Sequence, residues 1–68
     1  MDEEVLNQQI RAFLKRTGIT AQREIEAAVR ARLEDGRLQG NERLPASMTL
    51  RIDGVELEVT IDGEIALE

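Results

Sequence analysis

A 68-residue chain with no cysteine and no histidine has neither disulfides nor the ordinary ligands of zinc, haem or iron–sulfur clusters to hold a small fold together. Chains this short bury only about 60% of the surface their unfolded form exposes, so burial offsets the cost of ordering the chain only narrowly. A very regular core, or association with another subunit, remains. The same two absences thin out the chemistry. Histidine is the usual general acid–base residue, and the one serine, Ser47, has no histidine to activate it. Paired carboxylates occur at Asp2-Glu3-Glu4, at Glu34-Asp35 and at Glu56 with Glu58. A helix start, a helix end and the wet face of a strand account for them, and a small two-layer domain has little room for a pocket that shifts their pKa. Asp53-Gly54 and Asp62-Gly63 lack the spacing of a calcium loop and read as turns. The expectation is a non-enzymatic protein with no catalytic residue, no cofactor and no metal.

The net charge of −5 is spread unevenly. Residues 1–10 hold three acids and no base; residues 11–51 hold all nine bases against five acids, leaving +4; residues 52–68 hold six acids and no base. An acidic whole disfavours nucleic acid, which is drawn by a basic face, although the basic middle keeps that reading as runner-up. No apolar run approaches the length of a signal core or a membrane span, and Met1-Asp2-Glu3-Glu4 is acidic where a signal is basic. A soluble cytoplasmic protein with no membrane partner is expected.

Two helices are expected in the first half. Leu6, Ile10, Phe13 and Leu14 recur at helical spacing on one arc, after an N-cap at Asp2 and acids at Glu3 and Glu4. Gly18, as the left-handed residue of a Schellman motif that joins Leu14 to Ile19, ends a first helix over about 2–17. Thr20 then caps a second helix over about 20–35, with Ile25, Ala28, Val29 and Leu33 as its apolar face and Gly36 as its stop. Residues 36–47, punctuated by Gly40-Asn41 and Leu44-Pro45, read as a connection.

The last twenty residues read as β structure. A two-residue Asp53-Gly54 turn pairs Ile52 with Val55, Leu50 with Leu57 and Met48 with Val59, gathering the apolar residues on one face. A three-residue turn of Ile61-Asp62-Gly63 pairs Val59 with Ile65. The fold class expected is therefore α+β in one domain, 1–68: a two-helix hairpin packed on one face of a small antiparallel β-meander, order ααβββ, with strands at about 48–52, 55–60 and 64–67.

The runs Gly18-Ile19-Thr20-Ala21-Gln22-Arg23-Glu24-Ile25-Glu26, Gly40-Asn41-Glu42, Leu44-Pro45-Ala46, Met48-Thr49-Leu50 and Asp62-Gly63-Glu64-Ile65 resemble a family of short bacterial proteins classed as a domain of unknown function. The resemblance spans nearly the whole chain. It brings no chemistry and no site residue, and implies only a bacterial, cytosolic protein.

Functional expectations follow from what is left. A small interaction module is the leading one, with a protein partner or a second copy of itself. Arg32 falls inside the apolar arc of the second helix, and Met48 and Leu50 lie on the strand with the less charged edge, so these three are the candidate interface residues. The alternative is a helix-turn-helix-like nucleic-acid-binding protein. Arg23 and Arg30 would then enter the groove, and Arg16, Arg37, Arg43 and Arg51 would contact the backbone. Glu26 and Glu34 on the same helix face, an acidic hairpin and the lack of an exposed stacking aromatic count against it.

Overall fold

No proline interrupts the sequence between Asp2 and Gly36. In a computed structural model describing Met1–Glu68, this stretch forms one unbroken helix, α1, Glu3–Glu34. Its ends are those expected. The Asp2 carboxylate accepts from the N–H groups of Glu4 at 3.0 Å and Val5 at 3.2 Å, and Glu3 and Glu4 occupy the first turn, where the helix dipole favours acids. At the other end Arg32 complements the dipole, the Asp35 N–H closes on Ala31 O at 3.1 Å, and Gly36 takes the left-handed conformation with φ 82°.

The expected break at Gly18 is absent, which corrects the two-helix reading. Gly18 is not among the residues with positive φ, and the Thr17 hydroxyl donates to Leu14 O at 3.0 Å inside the helix. A glycine in a helix interior costs only about 1 kcal/mol relative to alanine. Ending one helix and starting another would instead leave up to eight backbone groups outside the ladder, more than a Schellman turn and a threonine cap satisfy. Continuity wins on hydrogen bonding.

The second half is a two-stranded antiparallel hairpin of β1, Arg43–Ile52, and β2, Leu57–Ala66. The element order is αββ, so the three-stranded meander is also corrected. Both turn assignments fail for identifiable reasons. The first loop is four residues, Asp53–Glu56, with Ile52 opposite Leu57, Leu50 opposite Val59 and Met48 opposite Ile61. This register differs by two from the expected one, and a shift of two keeps every side chain on its face. The observed register places Arg51 opposite Glu58 and Thr49 opposite Thr60; the alternative would give Arg51 an equivalent partner in Glu56 but lose the threonine pair. The loop carries positive φ at Gly54 (91°) and at Glu56 (54°), the latter a conformation that costs a non-glycine residue about 1 kcal/mol.

At the expected second turn, Asp62 and Gly63 sit inside β2, opposite Ser47 and Ala46. Residues 43–47, read from sequence as connection because of Pro45, extend β1 and give β2 a partner along its length. A two-stranded ribbon has an open edge on each strand, the setting in which a strand proline is tolerated.

The chain divides into two units, Met1–Arg37 and Leu38–Glu68. No side chain in either is buried. Each unit therefore carries an amphipathic element without a core of its own.

Substituting Gly18→Ala tests the continuity of α1. Nothing lies within 4 Å of the point where a Cβ would stand, so the alanine variant should show higher helix content by circular dichroism and gain up to about 1 kcal/mol in stability. A left-handed Gly18 at a helix end would give a loss of similar size.

Candidate functional site

The apolar residues of α1 form a stripe along one side. Ile10, Leu14, Thr17, Ala21, Ile25 and Ala28 follow one another at steps of three and four, flanked by Leu6 and Phe13. Ile10, Phe13 and Leu14 are 48%, 46% and 57% exposed. Glu3 and Arg32 close the two ends of this stripe on the same side. The side chains are bulky in the first half and mostly alanine in the second.

The hairpin has the second apolar surface. Leu44, Ala46, Met48, Leu50 and Ile52 alternate along β1 and lie opposite Ile65, Gly63, Ile61, Val59 and Leu57 of β2, so strand alternation gathers them on one face. Its reverse face is polar. There Arg51 donates to Glu58 at 2.9 Å, the Thr49 and Thr60 hydroxyls meet at 3.1 Å, and Arg43 pairs with Glu64.

Of the candidate interface residues, Met48 and Leu50 therefore share a face, Met48 half exposed and Leu50 partly covered. Arg32 belongs to α1, where its guanidinium pairs with Asp35 at 3.1 Å. Five of the six arginines of the nucleic-acid reading fall into two groups, and Arg37 follows the end of α1. Arg16, Arg23 and Arg30 recur every seven residues on the side of α1 away from the apolar stripe. Arg16 and Arg23 have no ion-pair partner, Arg30 lies 3.6 Å from Glu26, and Arg37 lies 3.8 Å from Asp35. Arg43 and Arg51 are engaged on the hairpin's polar face. The turn of a helix-turn-helix lies inside α1, so that docking geometry is not formed.

Two features escaped the sequence reading. The alternation Leu44, Ala46, Met48 was legible through Pro45 and would have extended β1. The other is Glu42, whose carboxylate accepts from the Gln39 N–H at 2.9 Å, the Gly40 N–H at 3.0 Å and the Asn41 N–H at 3.2 Å. It thereby ties down the segment leading into β1. The Gln39 N–H foremost, helped by those of Gly40, Glu42 itself and Asn41, holds this carboxyl below its ordinary value of 4.5, against a smaller opposing effect of desolvation.

No three acidic side chains converge to hold a metal ion, and no helix is long and apolar enough to cross a membrane. The hairpin tip, between Arg51 and Glu58, forms an open depression. The charge divides sharply: residues 1–37 hold seven acids and seven bases and are neutral, whereas residues 38–68 hold seven acids and two bases and carry the whole −5.

Comparison with known proteins finds a model described as a family of unknown function (DUF6494) that matches residues 1–68. No curated protein and no solved structure matches the chain.

The Glu42 arrangement is open to a titration by NMR. A carboxyl whose folded pKa is depressed contributes stability that is present above the unfolded value and lost as pH falls through the folded one. The Glu42 carboxyl should titrate below 4.5, with the Gln39, Gly40 and Asn41 amide shifts following the same curve. In Glu42→Gln those amides should exchange faster and lose the acid transition; unchanged amides would refute the arrangement.

Proposed function

Since the chain belongs, over residues 1–68, to the DUF6494 family, a family of unknown function, no activity is inherited, and we propose that it is a non-enzymatic interaction module that works by self-association. One observation carries this reading: each unit presents a continuous apolar face and neither buries a single side chain. Contiguous exposed apolar surface of this kind is the usual mark of an interaction site. A two-stranded hairpin is marginal by itself in water, and helices in proteins owe most of their stability to packing of the apolar face. Covering these faces thus supplies folding and assembly at once. A bacterial, cytoplasmic setting, with a second copy as the partner and no cofactor, belongs to the same proposal.

The measurement is sedimentation equilibrium across a concentration series. The wild-type chain should associate, and Phe13→Asp should weaken the association by about 2 kcal/mol, roughly 30-fold. A strictly monomeric mass at every concentration, with the helix and hairpin intact by spectroscopy, would overturn the reading.

A competing reading, contact with nucleic acid, has one observation in its favour: the row of Arg16, Arg23 and Arg30, of which the first two are unpaired. Glu26 and Glu34 interleave with that row, which weakens the field a phosphate backbone would meet. A duplex-DNA mobility shift that fades as salt rises would favour this reading, and no shift at low salt would end it.

A further inference from the structure

We propose that the occupant of the α1 stripe is the α1 of a second copy, in antiparallel orientation, with the twofold axis passing between Thr17 and Gly18. This rests on the self-association reading and adds to it the surface and the geometry. Glu3 then meets Arg32 of the second copy, Ile10 meets its Ile25, and Leu14 meets its Ala21, every pair drawn from the stripe. Each pair occurs twice by symmetry.

Charge selects this arrangement. Arg32 already holds Asp35 at 3.1 Å, and its forked guanidinium has donors left for the Glu3 carboxylate arriving from the other copy. A parallel pair would instead set Glu3 beside Glu3 and Arg32 beside Arg32. The division of net charge acts in the same direction: the helical unit is neutral and the hairpin unit carries −5, so two copies repel through their hairpins and not through their helices.

Volume selects it as well. The bulky Leu14 lies in the first half of the stripe and Ala21 in the second, so antiparallel pairing seats this large side chain against a small one, as close packing favours, while Ile10 meets Ile25. Parallel pairing would crowd one half and leave gaps in the other. A helix of 32 residues is about 48 Å long, and a strip about 10 Å wide on each copy totals roughly 1,000 Å², the lower bound for a specific interface.

The absence of native cysteine allows a clean test. The Ile10→Cys and Ile25→Cys variants are mixed in equal amounts and oxidised, and the disulfide-linked peptides 1–11 and 24–30 released by cleavage after arginine are resolved by mass, with light scattering on the wild-type chain alongside. The antiparallel pair requires that the mixed disulfide exceed either homodisulfide at least tenfold. Dominant homodisulfides mean a parallel pair and overturn the proposal. A dimeric mass with no cross-link places the contact on another surface, such as the hairpin face, and overturns the proposal while the self-association reading stands. A monomeric mass overturns both. Charge exchange gives a second readout: Glu3→Arg and Arg32→Glu should each weaken the dimer about tenfold, and the two together should restore it. Equal weakening in the double variant would count against the Glu3–Arg32 contact.

Discussion

Backbone hydrogen bonding within each unit is the interaction on which the rest of this structure depends. With no side chain buried, what shapes the chain is the i→i−4 ladder of α1 and the cross-strand ladder from Arg43 opposite Ala66 to Ile52 opposite Leu57. Each such bond adds only about 1 kcal/mol net, because the unfolded chain bonds to water equally well. Local ladders can therefore choose the elements without making them stable. The stabilising term still owed to the fold is apolar burial, and the stripe on α1 and the face of the hairpin are where it is available.

The polar groups are arranged consistently with that division. On the hairpin, Arg51 with Glu58, Thr49 with Thr60 and Arg43 with Glu64 all lie on one face, leaving the other uninterrupted. Exposed pairs of this kind contribute little stability, but they specify register, since a slip would separate them. On α1 the Arg30–Glu26 and Arg32–Asp35 pairs are local, three and four residues apart, so they support the helix without fixing what covers it. The excess acid of the hairpin discourages edge-to-edge pairing of two ribbons, a known hazard of open strands.

Much of the site was legible in the residues. The helical spacing of Leu6, Ile10, Phe13 and Leu14 and the strand spacing of Met48, Leu50 and Ile52 each predict the face that is found, because side-chain direction follows from backbone period alone. Arg32 was singled out for lying inside an apolar arc, and it does close one end of the stripe. The grouping of the arginines was harder to read. Sequence placed six in one binding surface, whereas the fold puts three along α1, leaves Arg37 just past its end beside Asp35, and holds two by carboxylates across the hairpin. Their engagement depends on strand register, which the spacing of single residues does not encode.

What the sequence determined by itself were the ends and the faces: Asp2 and Gly36 bounding the helical stretch, and alternation defining an apolar side of the hairpin. These rest on strong, local signals, a capping carboxylate and a residue free to adopt positive φ. Only the tertiary structure decided whether Gly18 stops a helix or sits within one, and whether Asp53-Gly54 and Asp62-Gly63 make two turns or one. A glycine inside a helix costs only about 1 kcal/mol relative to alanine, too little to mark a break by itself, and a register shift of two preserves every face. Such near-degeneracy is resolved by the full ladder of backbone bonds and cross-strand pairs, which forms only when residues as distant as Arg43 and Glu64 come together.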